Sequence, residues 1–436
     1  MKRLGGVHTP HWKTTANSPA EHLPIPPEVR LPMAMHIGAP AKAVVKAGDE
    51  VKVGQLIGEA AGFISSPIYA SVSGTVSRVD ETDPVTGQNA ASVTIASDGM
   101  YTYFEGLKPP EINDLAGFLE AVRASGVVGL GGAGFPTIAK LTVKDTARID
   151  CVIVNGAECE PYITSDTRTM VEDKEHIWNT LRLMNTHMKP GKIVVAIENN
   201  KPEPIKLMRE MAAAEPLAEI RVLPSVYPQG GEKILIYNVT GRVVPEGKLP
   251  LDVGVLVINC ATLAIISRYI TSGKPLVSKC VTVDGTAVQN PKNLIAPIGT
   301  PVSVLFDYCG LKCEPGKILM GGPMMGIAIP NADMPILKNT NAVLAFAEAE
   351  AILPEESPCI NCGRCARACP MGLMPAGIRK NFGLKKPELL ASFKTNLCIE
   401  CGCCAFSCPA KIPLVQYMKL AKAALRDYSA AKTAAK

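Results

Sequence analysis

The sequence predicts a multidomain α/β protein with additional β modules and a separate cysteine-dense segment at the C-terminus. Three observations carry this. The chain has 436 residues, more than one domain of about 100–200 residues accounts for. Its middle alternates short apolar runs with helix-patterned stretches, the mark of a largely parallel sheet with covered faces. Nine of its 15 cysteines fall between Cys359 and Cys408. An apolar content of 47% with 19% charged residues belongs to an ordinary folded chain. No segment reaches the roughly 18 apolar residues that a membrane span needs, since the best run, Val253 to Ile266, is broken by Asn259 and Thr262. The Met1-Lys2-Arg3-Leu4-Gly5-Gly6 start has no apolar core of a secretory signal. Many cysteines without secretion point to metal or redox chemistry rather than a disulfide framework.

Charge is as uneven as cysteine. Residues 359–436 hold 13 Lys and Arg against 3 Asp and Glu, net +10, whereas the remainder holds 32 against 37, net −5. The global value of +5 hides this division.

In chain order, residues 38–80 read as short strands around glycine turns, in two halves, Val44–Gly58 and Ser66–Val76. A helix is expected behind an N-cap at Asn113, because Leu115, Phe118, Leu119 and Val122 share one face. Strands are expected at Cys151–Val154, Ile193–Ile197, Ile220–Leu223 and Val255–Ile258, with helices over Pro204–Ala214 and Ile234–Asn238. Ligand loops belong at the C-terminal ends of such strands. Residues 280–330 return to β character, and an acidic linker from Glu348 to Pro358 leads to the cysteines. The last 25 residues read as a basic helix, with Val415, Met418, Ala421 and Leu425 on one face, and a frayed tail.

Cys359-x2-Cys362-x2-Cys365-x3-Cys369-Pro370 is followed by Cys398-x2-Cys401-x2-Cys404-x3-Cys408-Pro409. One short loop can offer three thiolates to three corners of an iron–sulfur cubane. A single CxxC also suits zinc or a disulfide, but two full quartets of this spacing resemble two-cluster ferredoxins. That resemblance implies two [4Fe-4S] clusters with exchanged fourth ligands: Cys359, Cys362, Cys365 and Cys408 for the first, and Cys398, Cys401, Cys404 and Cys369 for the second. Cys403 is surplus to the spacing. Cys151, Cys159, Cys260, Cys280, Cys309 and Cys313 read as small buried apolar residues. Arg364, Arg367, Arg379 and Lys394 are placed to offset anionic clusters.

Gly129-Leu130-Gly131-Gly132-Ala133-Gly134-Phe135-Pro136 with Lys140 offers backbone N–H groups and a cation to an oxyanion. Asn155-Gly156-Ala157-Glu158-Cys159-Glu160-Pro161, Tyr227 to Lys233, and Asn259-Cys260-Ala261-Thr262 each follow a strand candidate. In this order the four segments resemble the flavin and NADH site of the 51-kDa subunit family of respiratory complex I. The resemblance implies that Gly129, Gly131, Gly132, Lys140, Asn155, Glu158 and Asn259 hold non-covalent FMN, and that Phe135, Glu160 and Glu232 face NAD(H). Ala157, Gly231 and Ala261 depart from that family's acidic positions, which leaves the NADH contacts less defined than the flavin's.

The whole chain resembles the RnfC family of the membrane-bound Rnf ferredoxin:NAD oxidoreductase complex, and the Met320–Gly326 turn is typical of it. The 38–80 halves resemble a biotinyl/lipoyl-type barrel sandwich without the modified lysine. The resemblance implies a barrel-sandwich domain with an N-terminal arm (1–105), a Rossmann-like FMN/NADH domain (106–275), a β-grasp domain (276–340) and an α-helical two-cluster ferredoxin domain with a basic helix (341–436). It implies an electron-transfer subunit of an ion-translocating NADH-dependent oxidoreductase, peripheral on the cytoplasmic side of the inner membrane. Its partners would be the ferredoxin-accepting iron–sulfur subunit and the membrane subunits, with no nucleic acid. An RnfC-like cobalamin reductase and a flavin-free iron–sulfur bridging subunit are the alternative readings.

Overall fold

The computed structural model describes residues 4–434 except 84, 86, 88 and 144, so the basic start at Met1–Arg3 lies outside the described residues. The chain is multidomain α/β, and its described residues form four sheets.

The first hundred residues are all β. Glu28–Pro32, Ser92–Ser97, Gly74–Asp80 and Glu50–Val51 make one antiparallel sheet in that order, and Lys42–Ala43, Leu56–Glu59 and Ile68–Tyr69 make a second. Val29, Leu31, Val76, Val93 and Ile95 turn inward and are fully buried, the outcome that period-two alternation dictates.

The middle is the predicted parallel sheet. Its order is Glu219–Leu223, Ile193–Glu198, Cys151–Gly156, Val255–Asn259, with every pairing parallel. Side chains alternate between two cores. Val152, Val154, Val195, Ile197, Leu256 and Ile258 face Trp178, Leu181, Met184 and Leu263 on one side. Cys151, Ile153, Val194, Ala196, Val255 and Val257 meet Leu235, Ile236 and Val239 on the other. Both faces are covered, so the strands are apolar throughout. The helix at Leu115–Ala124 is capped by Asp114, whose carboxylate accepts the Gly117 N–H at 2.7 Å, rather than by Asn113. Asp114 stands immediately before the first helical residue, where that bond is made.

A six-stranded sheet follows, ordered Glu21–His22, Lys292–Pro297, Ser278–Asp284, Ala342–Phe346, Lys317–Met320, Ile327–Ile329, with the Val302–Cys309 helix packed on it. It reaches beyond the expected 276–340 span at both ends. The arm residues Glu21 and His22 pair with Leu294 and Ile295, and Ala342–Phe346, wholly buried, sits in mid-sheet. Five short helical segments and the Leu414–Ala434 helix make the cysteine module. That last helix buries Leu414, Met418, Ala421 and Leu425 and runs on through the expected frayed tail. Among the described residues no helix is long and apolar enough to cross a membrane.

Lys338 ties three of these parts together. Fully enclosed, its ammonium donates to Pro67 O at 2.6 Å, Gly126 O at 2.8 Å and Ser66 Oγ at 3.1 Å. Burial pulls its pKa down to about 7 from an ordinary 10.5. Between these values the unfolded chain binds the extra proton, so Lys338 makes stability rise with pH across that window. A Lys338→Met variant should flatten the rise. At pH 9 it should also lose about 1–3 kcal/mol through the abandoned acceptors, read as urea midpoints at pH 7 and pH 9.

Candidate functional site

The parallel sheet reverses its order between Cys151–Gly156 and Val255–Asn259, and Asn155 and Asn259 stand directly opposite one another at the C-terminal ends of these strands. This is the switch point at which open α/β sheets take ligands. Asn259 caps the Cys260–Ser272 helix by accepting from Thr262 N at 3.2 Å, and its amide donates to Asp166 at 2.6 Å. The glycine loop closes over it. Gly129 N donates to Phe135 O at 2.9 Å, Gly134 N returns to Gly129 O at 3.2 Å, and a Cβ on Gly131 would lie 2.7 Å from the Asn259 amide. Gly131, Gly132 and Ala133 are exposed, whereas Phe135 is half-buried. Open glycine backbone at a strand-end crevice fits a phosphate-bearing cofactor.

Two further modules brace this loop. Ile37 N donates to Gly134 O at 3.1 Å, and the Asn339 amide donates to Gly132 O at 2.6 Å. Neither contact is visible in the local sequence.

Lys140 donates to Glu232 at 2.7 Å and to Val257 O at 3.0 Å, so the two expected binding residues neutralise one another. An arriving anion competes with Glu232 for that cation. Asn155 reaches across to Gly230 O at 2.9 Å and fixes the Tyr227–Gly231 loop, and Gly230 N donates to the sulfur of Cys159, which is half-buried rather than fully buried. Burial lifts the Cys159 thiol to about 12, so it stays protonated.

Glu158 and Glu160 are engaged inward. The Glu158 carboxylate accepts from Asp166 N at 2.6 Å and from the Thr167 hydroxyl at 2.6 Å, at the start of the Ser165–Glu172 helix. It connects to the glycine loop through Asp166 and Asn259. Asp166, fully enclosed and next to Glu158, has its carboxyl well above the ordinary range. Glu160 accepts from Met324 N at 3.0 Å and Met325 N at 2.8 Å, in the turn of the six-stranded sheet. Burial raises Glu160 to about 7 against those N–H groups and Lys13. Lys13 itself donates to the carbonyls of Glu158, Glu160 and Ile163 at 2.9, 3.0 and 2.5 Å. Lys13 and Asp166 are the residues that sequence reasoning missed. A lysine in an unpatterned arm and an aspartate inside a polar helix carry no local signal of this placement.

The cysteine quartets form two related loops. Asn361 and Gly363 in the first, and Glu400 and Gly402 in the second, all take left-handed backbone at φ 55°, 71°, 58° and 79°. Such turns bring successive N–H groups onto one concave side, a recurring cradle for iron–sulfur sites. Glu400 N points at Cys398 Sγ at 3.4 Å, and Leu373 N at Cys369 Sγ at 3.4 Å. Cys369 and Cys398 both pack against the small core of Leu373, Ile378, Leu390, Met418 and Ala421, and Cys365 and Cys408 against that of Cys404, Ala410, Ile412 and Leu414. Cys369, Cys398 and Cys401 each raise the Cys404 thiol, after burial as the main cause. Burial lifts Cys398 to about 11 and Cys404 to about 12. Thiols this reluctant to ionise become ligands only when a metal ion displaces the proton. The second set is thus largely enclosed, whereas Cys359 and Cys362 are exposed. Surplus Cys403 is buried with its sulfur 3.8 Å from Tyr227 O. Cys313 is exposed rather than buried, because it lies in the turn after the Val302–Cys309 helix. Of the four cations expected to offset the clusters, Arg379 pairs with Glu356 and Lys394 with Glu246.

A phosphate-type crevice on a doubly covered parallel sheet, joined to a module with two cysteine quartets, fits an electron-transfer oxidoreductase subunit. Family comparison gives the same division: a Nuo51 FMN-binding domain matches residues 122–268, an RnfC barrel sandwich hybrid domain residues 1–100, an SLBB domain residues 280–328 and a 4Fe-4S dicluster domain residues 358–412. The chain belongs to the RnfC family. It is 40% identical over 379 residues to the RnfC protein of the Na(+)-translocating ferredoxin:NAD(+) oxidoreductase complex of Acetobacterium woodii, covering 86% of each chain. It is 42% identical over 381 residues to the corresponding protein of the proton-translocating ferredoxin:NAD(+) oxidoreductase complex of Clostridium ljungdahlii, covering 85% of this chain and 82% of that one. Against its counterpart in the ion-translocating oxidoreductase complex of Rhodobacter capsulatus, identity is 40% over 435 residues, 98% of this chain and 84% of the other. An NAD+-reducing [NiFe]-hydrogenase structure shares the fold, with a TM-score of 0.51 and 19% identity over 64% of this chain. The match spans about half, 55%, of that solved chain.

If ligands are exchanged between the quartets, Cys369→Ser should perturb the cluster of Cys398, Cys401 and Cys404. The expected result is loss of one cluster's electron paramagnetic resonance signal, identified by comparison with Cys398→Ser. A spectrum matching Cys359→Ser instead would refute the exchange.

Proposed function

We propose that the chain is the NAD(H)-reactive electron-transfer subunit of a membrane-bound, ion-translocating ferredoxin:NAD oxidoreductase. The single observation that carries this is the Asn155–Asn259 crevice under the glycine loop, joined through the Tyr227–Gly231 loop to the second cysteine set. Bound FMN supplies the exchange between a two-electron hydride couple and single electrons, and the protein supplies position and electrostatics. Gly129, Gly131, Gly132, Lys140, Asn155 and Asn259 are assigned to FMN, with Glu158 acting through Asp166. Phe135 and Glu232 lie on the open side for the nucleotide. Glu160, turned into the interior, is assigned to orienting the loop rather than to direct nucleotide contact.

The two cysteine quartets are assigned to [4Fe-4S] clusters with exchanged fourth ligands. The enclosed set, Cys369, Cys398, Cys401 and Cys404, lies on the flavin side. The other set, Cys359, Cys362, Cys365 and Cys408, of which Cys359 and Cys362 are exposed, is assigned as the outlet toward an iron–sulfur partner protein, with the chain peripheral on the cytoplasmic face of the inner membrane. Barrel-sandwich, Rossmann-like, β-grasp and ferredoxin-like folds are assigned to the four parts in order, near residues 1–105, 106–275, 276–340 and 341–436. The Ala342–Phe346 strand goes with the third part.

Protein reconstituted with iron and sulfide should retain FMN and pass electrons from NADH to ferricyanide; failure of both would refute the dehydrogenase reading. Lys140→Glu sets a second carboxylate beside Glu232. It should lower the flavin-to-protein ratio at least about tenfold, equivalent to about 1.4 kcal/mol, while leaving iron content unchanged. Unaltered flavin content would overturn the Lys140 assignment.

A further inference from the structure

The first described residues of the chain lie between the two redox parts. Val7 forms a two-way backbone bridge with Tyr227: Val7 N donates to Tyr227 O at 2.9 Å, and Tyr227 N donates to Val7 O at 3.0 Å. The Cys403 sulfur approaches the same Tyr227 carbonyl. Val7 is buried with Tyr227, Ala368, Cys401 and Cys403 in one small core. Two residues earlier, the backbone of Gly5 lies against the end of the first cysteine loop, at Cys369, the ligand assigned to the second cluster. A Cβ on Gly5 would stand 2.5 Å from Cys369 O and 2.9 Å from Arg367 O. A Cβ on Gly6 would stand 2.8 Å from Tyr227 O and from the Val226 side chain. Real side chains do not fit at such separations, so either the arm or its neighbours would have to move.

The arm is also held further along. Lys13 grips the acidic loop as described, and His11 O accepts from Tyr162 N at 3.0 Å. Gly5–Val7 therefore forms a layer one extended strand thick, with the Tyr227 loop of the flavin body on one side and a cluster ligand's backbone on the other.

We propose that Gly5, Gly6 and Val7 are positioning residues for electron transfer: they set the gap between the flavin body and the cluster bound by Cys369, Cys398, Cys401 and Cys404. The proposal rests on the functional reading above. Gly5 and Gly6 are glycine because any side chain widens that gap. The residues touch neither substrate nor the reacting flavin atoms, so they govern passage between the centres and not the exchange with nucleotide.

The test compares Gly5→Val, the milder Gly5→Ala, and wild type as reconstituted full-length protein. After dithionite reduction and removal of the excess, NAD+ is added, and cluster reoxidation is followed optically. Two electrons leaving the clusters, with one proton, convert one NAD+ to NADH. Gly5→Val should slow this step several-fold, beyond the roughly twofold spread allowed for the controls, because transfer between centres falls steeply with their separation, and Gly5→Ala should slow it less. Flavin and iron content and NADH-to-ferricyanide activity should stay within about twofold of wild type. In the cofactor-free proteins, amide hydrogen exchange should speed up at Val226 and Tyr227 and at residues 366–369 in the same order of variants. Unchanged cluster reoxidation, or a parallel loss of ferricyanide activity, would overturn the proposal. Wild-type protein unable to bind FMN or react with NADH would instead defeat the functional reading itself.

Discussion

A half-buried lysine organises the acidic loop of this molecule. The Lys13 ammonium holds the carbonyls of Glu158, Glu160 and Ile163 around one point, in a loop where Glu158 and Tyr162 both adopt left-handed backbone. Non-glycine residues persist in that conformation only where surroundings over-determine it. Desolvation pushes the Lys13 pKa down, the nearby Glu158 carboxylate pushes it up, and buried Lys201 opposes it as a like charge. With the loop so pinned, its two carboxylates are aimed in different directions. Glu158 reaches the helix whose Asp166 holds Asn259, and Glu160 reaches the Met324–Met325 turn of the next sheet. The crevice and the packing of its neighbours therefore share one anchor.

The parts that were legible in the sequence are those governed by local rules. The four parallel strands follow from apolar runs between helix-patterned stretches, and the observed strands extend each predicted one by only a residue or two. The cysteine spacing fixes which sulfurs can share a loop, and the left-handed turns at Asn361, Gly363, Glu400 and Gly402 recur at matching places in the two quartets. The direction of a carboxylate is different, because it depends on donors far away in sequence. Glu160 meets Met324 and Met325 across 164 and 165 positions, and nothing in the acidic loop itself distinguishes an inward from an outward carboxylate. The same applies to Ala342–Phe346. Its apolar run is readable, but its place in mid-sheet depends on strands on either side of it, the nearer ending at Met320 and the other at Asp284.

Electrostatics refines the charge asymmetry. The basic excess of residues 359–436 is not a uniform field, because Arg379, Lys394 and Lys422 are each paired with a carboxylate. The Lys394–Glu246 pair joins the cysteine module to the flavin body. Arg379 also lies over the Tyr417 ring, its guanidinium 5.0 Å from the centroid. Part of the cationic charge thus fastens the module in place, and an exposed pair of this kind contributes little by itself.

The seat of the amino-terminal arm bears on the order in which the molecule can be completed. Ribosomes deliver Gly5 to Val7 well ahead of their seat, since Tyr227 is made some 220 residues later and Cys369 more than 360. Residues 5–7 must therefore wait, unhoused, while the intervening modules are made. Domains fold in turn as they emerge during synthesis, but this segment can settle only once the cysteine module has taken shape. In a maturing chain, shielding of residues 5–7 from a protease marks the moment at which the redox modules have met.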